Sequence, residues 1–259
     1  MCYNIIEGID KMKNNNITVT FWFNEIRNVK EVRDKLDEKL SDYFNPFNLT
    51  GAPLEVDPIV PRIVSKTKGG HTTLQFSLIN LQLNTIFDNE FNFDINKCIE
   101  YVKEKAYKVF KILKEDVNIE VLYSAIFLNC DKDSESPLQE IADRYNISLN
   151  NKTEEIGLRF SEVVNDKYYF ITSLNNSSVV SITKKIEPGQ QPQRIVLPLI
   201  SKKEMCIEKE IISYTFEIND KYEYNTIDKC HTTNESITDM FEIFLNKIIS
   251  INSDSKEEE

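Results

Sequence analysis

Only two histidines occur in the 259 residues, His71 and His231, and each is followed by Thr-Thr. His71 also follows Gly69-Gly70. A Gly-Gly step can open its backbone amides to an anion, and an imidazole beside it can serve as a general base near neutral pH. With the cations Arg62 and Lys68 nearby in sequence, residues Arg62, Lys68, Gly69, Gly70, His71 and Thr72 form the candidate ligand-binding group. No catalytic residue is assigned within it, because a hairpin turn with a solvent-facing histidine accounts for the same pattern. His231 lies beside Cys230 before a helix, and adjacent residues rarely pair as nucleophile and base.

Other chemistry is sparse. Asp131, Asp133 and Glu135 alternate as a calcium loop begins, but Ser136 stands where an EF-hand needs Gly and Ala142 where it needs Glu. Acids just before a helix are explained by the helix dipole. The motifs GxxxxGK(S/T), GxGxxG, GxSxG and HExxH are absent. Asp57, Glu120 and Glu155 are scattered acids that would matter only if folding gathered them, as in a hydrolase or nuclease. Five cysteines, Cys2, Cys98, Cys130, Cys206 and Cys230, show no CxxC spacing, which favours reduced thiols and argues against a zinc site. Neither a metal nor a cofactor is expected.

Composition narrows the partners. Thirty-one basic and 42 acidic side chains give a net charge of −11. That field disfavours nonspecific binding to nucleic acid or anionic lipid. No apolar run approaches the ~18 residues of a membrane span, and the N-terminus lacks a signal-peptide pattern, so a cytoplasmic protein is expected. Its richness in Asn, Ile and Lys points to an AT-rich bacterial coding sequence. Tyr168, Tyr169, Tyr214, Tyr222 and Tyr224 fit cross-strand packing better than base stacking on a sheet of this charge.

The elements that would position these groups follow from periodicity. Ile17, Val19, Phe21 and Phe23 alternate with polar residues as a strand, and Val29, Val32, Leu36 and Leu40 mark a helix. Pro46, Pro53, Pro58 and Pro61 make 43–63 an extended arm that still carries seven apolar side chains needing cover. A short strand over 62–66 and a long strand over 72–87 come next. In the long strand the apolar set shifts from Leu74, Phe76 and Leu78 to Ile79, Leu81 and Leu83, which predicts a bulge near Leu78-Ile79 or a crossing between layers. A helix over 94–113 has an apolar stripe from Ile95 to Leu113, and 119–130 reads as a buried strand. Ser136, Pro137 and Gln139 supply a capping box for a short helix ending near Tyr145.

The string Asn-Asp-Lys-Tyr occurs at 165–168 and again at 219–222, and each copy predicts a tight hairpin turn. Residues 184–198 read as a surface loop leading to a strand at 194–197, and a final helix starts near Asn234. The fold class is therefore α+β, a largely antiparallel sheet with long amphipathic helices packed on one face. It divides into two related halves, 1–135 and 136–252, before an acidic tail over 253–259.

The order of a Gln-bearing strand, a long helix and a strand ending in Phe127-Leu128-Asn129 resembles a sporadically distributed, uncharacterised bacterial α+β family. The resemblance covers 72–129 and implies no activity. The function expected is a non-enzymatic binding or regulatory protein acting through protein–protein contacts. Its partners would be itself, as a homo-oligomer, and an unidentified protein. The alternatives are a hydrolase or nuclease with a dispersed acidic site near His71, and a small-anion binder using the Gly69-Gly70 turn.

Overall fold

The computed structural model describes residues 12–88, 91–182, 205–221 and 231–254. Among them, nine strands form one sheet in the order β2-β3-β4-β5-β1-β6-β9-β8-β7, accompanied by four α-helices. The protein is thus a mixed α+β chain built on a large antiparallel sheet. The strands are β1 (Lys13–Phe23), β2 (Asn48–Leu49), β3 (Ile63–Lys66), β4 (Thr72–Phe76), β5 (Asn80–Ile86), β6 (Val121–Asp133), β7 (Gly157–Val164), β8 (Tyr168–Ile182) and β9 (Met205–Asn219). The helices are α1 (Val29–Leu40), α2 (Ile95–Lys111), α3 (Pro137–Arg144) and α4 (Asn234–Asp254). Two compact units share these elements. One contains Met12–Cys130, Arg159–Ser173 and the described part of Thr215–Glu259; the other contains Asp131–Leu158 and the described part of Leu174–Tyr214.

In the first unit β1 pairs antiparallel with β5, Val19 opposite Leu83 and Phe21 opposite Leu81. Strand alternation sends Ile17, Val19, Phe21 and Phe23 into the core, where Phe21 meets Phe110 of α2 at 5.6 Å between ring centroids. Phe170 of β8 packs on Phe216 of β9 and on Phe244 of α4 in the same way. Helix α2 begins at Asp94, whose carboxylate accepts from the Lys97 amide at 3.1 Å. It ends in a π-helical turn, Ile112–Asp116, that buries Ile112 and Leu113 before Asn118 turns the chain at φ 57°.

The expected bulge in the long strand is instead a hairpin. β4 stops at Phe76 and β5 starts at Asn80, with Leu78 and Ile79 as the two-residue loop. A two-residue loop places Phe76 opposite Leu81 and Leu74 opposite Leu83, so the buried set switches from even to odd numbers without a bulge. No Gly or Asn occupies the loop to announce it. Ser77 holds the turn: its amide donates to the Asn80 carbonyl, and its hydroxyl accepts from the amides of Ile79 and Asn80.

The two copies of Asn-Asp-Lys-Tyr also differ. Asn165 and Asp166 adopt φ of 53° and 52° between β7 and β8, the left-handed turn expected. In the second copy neither Asn219 nor Asp220 is left-handed, and Asp220 is a buried acceptor for the chain before α4. The left-handed turn expected at Asn219-Asp220 is therefore not formed, and Tyr222 and Tyr224 fall outside the described residues. So do the loop at 184–198 with its strand at 194–197, Cys2, Cys230 and the end of the acidic tail.

In the second unit Ile141 and Ala142 of α3 are buried, as is Ile156 before β7. The amide of Ile156 donates to the Asn176 side chain at 2.7 Å. α3 has Pro137 at its first turn and ends at Tyr145, as the sequence implies, but the capping box does not form. The Ser136 side chain makes no cap bond, and Gln139 donates to Asp143 one turn on.

Candidate functional site

The β3–β4 turn brings Lys68, Gly69, Gly70, His71 and Thr72 together. Thr67 opens it by donating its amide to the Thr72 carbonyl and accepting the Thr72 amide on its hydroxyl, while Gly70 supplies φ of 81°. His71 is exposed, with Nδ1 3.8 Å from Asp88, the one carboxylate within ion-pair distance of it among the described residues. Thr72 points the other way. It is fully buried, and its hydroxyl shares a 2.9 Å hydrogen bond with Thr85. Arg62 belongs to the opposite end of the same hairpin, where its amide donates to the Phe76 carbonyl. Its guanidinium is turned into the arm and donates to the carbonyls of Val60 and Val56 at 2.5 and 2.9 Å. The turn thus collects five of the six candidate residues and leaves Arg62 to a different neighbourhood.

Other strands of the sheet carry a pattern that hydropathy alone does not single out. The Thr215 hydroxyl of β9 donates to Asn129 Oδ1 at 2.8 Å, and Asn129 Nδ2 donates to Asn16 Oδ1 at 3.2 Å. The Asn16 amide donates in turn to Asn84 Oδ1 at 3.3 Å, where Thr18 also donates at 3.2 Å. Four strands, β9, β6, β1 and β5, are bridged by side chains that all donate in one direction. Beside this relay Trp22 stacks on Tyr123 with centroids 5.7 Å apart and planes 18° apart, and the Lys221 ammonium lies 5.5 Å from the Tyr123 ring. The signal in the sequence is the set of Asn, Gln and Thr at alternate positions of 16–22, 73–75 and 80–84, which period-two reading marks only as the polar side of each strand.

The remaining chemistry-bearing residues are accounted for singly. His231 Nε2 lies 3.0 Å from Glu120, Asp133 pairs with Lys209 at 2.6 Å, and Asp131 accepts from Ser213. Asp57 Oδ1 accepts from the Ile59 amide at 3.0 Å within the arm. Burial, with a smaller contribution from the nearby Asp94 charge, pushes the Cys98 thiol up to about 12, so it is not a thiolate at neutral pH. Cys98, Cys130 and Cys206 take part in no disulfide. Among the described residues no group of three or more His, Cys, Asp or Glu side chains is placed to hold a metal ion, and no helix is long and apolar enough to cross a membrane.

A scan against protein-family models finds no match for this chain, and no curated protein matches its sequence significantly.

Proposed function

We propose that this is a non-enzymatic binding or regulatory protein that acts through protein–protein contacts and self-associates. The observation that carries this reading is the arm. Leu49, Leu54, Val56 and Ile59 are each between 40% and 48% exposed within eleven residues. The arm is nonetheless firmly tied: Arg62 grips its carbonyls, Thr50 donates to the Pro61 carbonyl at 2.8 Å, and the Leu78 amide donates to the Pro58 carbonyl. Exposed apolar side chains held on a fixed backbone suit an interface, because little ordering entropy remains to be lost on docking. The arm also includes β2, the two-residue strand at one edge of the sheet, where unpaired backbone groups are open to another chain.

In this reading the long amphipathic helices α1, α2 and α4 cover one face of the sheet, in keeping with the ring contacts Phe21–Phe110 and Phe170–Phe244 and the buried stripe Val32, Leu36 and Leu40. The opposite face, with its Asn-Thr relay and the Trp22–Tyr123 pair, is the surface offered to a different protein. Trp and Tyr fixed by neighbours are the side chains that dominate binding energy at such surfaces.

Light scattering after size exclusion tests the self-association. A mass above one 30.2 kDa chain is expected at micromolar concentration. The double variant V56E/I59E, which places carboxylates on the exposed arm, should run as a monomer with an unchanged melting temperature. A wild-type protein that elutes as a clean monomer removes the reading.

A further inference from the structure

The first turn of α1 and the arm line an open cleft of about 320 Å³. That volume lies at the lower end of small-molecule sites, which run from roughly 300 to 1,000 Å³. Its lining holds three basic residues, Arg27, Lys30 and Arg62, and no acidic one, in a chain of net charge −11. Leu49 and Leu54 supply apolar wall.

Two features leave part of the positive charge there without a carboxylate partner, although Arg27 pairs with Glu25 and Glu31 lies in the first turn of α1. Arg62 is only 3% exposed, yet none of the ion pairs among the described residues includes it. Its two terminal nitrogens reach backbone carbonyls, while its buried Nε has no hydrogen-bond partner. A guanidinium removed from water and matched only by carbonyl dipoles lacks the counter-charge that normally accompanies burial. The second feature is the helix end. Asn28 is the N-cap of α1, but its side chain makes no cap bond and instead engages Glu31. The first-turn amides of this twelve-residue helix therefore keep their donor capacity and the positive end of the dipole, and Asn28 and Lys30 both line the cleft. Arg27 is steadied by Glu25 at 2.8 Å.

We propose that this cleft binds a small organic anion, a carboxylate or phosphate group carried on an apolar body. The charged group would meet Arg62, Lys30 and the end of α1, and the apolar body would lie against Leu49 and Leu54. The site shares Leu49 and Leu54 with the arm surface proposed for self-association, but its basic residues Arg27 and Lys30 lie outside the arm, so the R27E/K30E test reads anion binding separately from mass. It also moves anion recognition away from the Gly69-Gly70 turn, where sequence placed it.

The test is a titration of the full chain, labelled with nitrogen-15, by hexanoate, phenyl phosphate, inorganic phosphate and neutral hexanol. Hexanoate or phenyl phosphate should give saturable shifts at the Val29 and Lys30 amides and at Arg62 Nε–H, with half-saturation below about 10 mM. The double variant R27E/K30E should weaken this at least tenfold at an unchanged melting temperature; these are exposed positions, so folding is not at stake as it is for Arg62→Gln. Hexanol binding as well as hexanoate, inorganic phosphate binding as well as phenyl phosphate, no saturation with any probe, or an R27E/K30E variant that binds normally would each overturn the proposal.

Discussion

Asp220 accepts the backbone amide of Ser124 on one carboxylate oxygen and the hydroxyl of Thr232 on the other, each at 2.7 Å. Ser124 closes the triangle by donating its own hydroxyl to Thr232 at 2.9 Å. All three residues are buried, so this cluster ties the end of β9 to β6 and to the residues that lead into α4. Removing the carboxylate leaves a buried amide and a buried hydroxyl without their acceptor. Asp220→Ala should therefore cost about 2–4 kcal/mol, read as a shift in the urea midpoint with an unchanged slope. Asp166 occupies the equivalent place in the first Asn-Asp-Lys-Tyr string but sits in a left-handed turn. Asp166→Gly should stay within about 0.5 kcal/mol of wild type, because Gly accepts that conformation freely.

That contrast shows what could be read in the chain and what could not. Local signals carried the strands and helices whose periodicity is long, such as β1, α2 and α4, since burying one face of an element of that length leaves little choice. The hairpin turn at Asn165-Asp166 was legible for the same reason: its residue types meet the demand for positive φ directly. The second string has the same residue types, and its conformation is set by distant partners, Ser124 and Thr232, that no local pattern reveals. The turn at Leu78-Ile79 failed in the opposite sense, because its loop residues are apolar, Leu78 being buried, and a serine side chain, not a Gly, stabilises it. The relay through Asn129, Asn16 and Asn84 depends on register between strands separated by up to 113 residues in sequence, which the chain alone does not disclose.

The candidate turn can be resolved by two substitutions. His71 is exposed and touches only Asp88 at 3.8 Å among the ion pairs described, so His71→Ala should change stability by no more than about 0.5 kcal/mol. Gly70 has φ of 81°, and a valine there would be strained although nothing lies within 4 Å of its Cβ position. Gly70→Val should be destabilising, by about 1–3 kcal/mol. If His71→Ala abolished the protein's effect in cells while melting temperature and mass stayed the same, catalysis or anion binding at the turn would replace the protein-contact reading.

Asp94 gives a pH-dependent prediction. Accepting the Lys97 amide holds its carboxyl below the ordinary aspartate range, and the Lys97 ammonium at 3.2 Å acts in the same direction. A depressed folded-state pKa means that the stabilisation is present above the unfolded pKa and is lost as pH falls through the folded one. Asp94→Ala should cost about 1 kcal/mol near pH 7. The gap to wild type should close as the solution is acidified below the ordinary aspartate range. Asp94→Asn, which keeps a cap acceptor without the titration, should lose little at pH 7 and should flatten the acid limb of the curve. An Asp94→Ala penalty that stays constant down to pH 2 would exclude the carboxylate as its source.

The relay across the sheet makes the last prediction, because its direction is fixed. Asn129 must donate to Asn16 and accept from Thr215. Asn16 cannot simply reverse to meet a changed neighbour, since its own amide is already directed at Asn84. Asn129→Asp keeps the size and the acceptor for Thr215 but removes the donor, setting an ionised oxygen against Asn16 Oδ1. The half-buried setting limits the cost to about 1–2 kcal/mol at pH 7. The introduced carboxyl would resist ionisation in the fold, so its folded pKa would lie above the unfolded value of about 3.9. The penalty should then be full above the raised pKa and shrink as pH falls toward 3.9, where protonation restores an O–H donor. Thermal melts of wild type and variant between pH 3 and pH 8 measure this directly. Curves that converge in acid support a directional relay, and a gap independent of pH would mean that Asn129 contributes by packing alone.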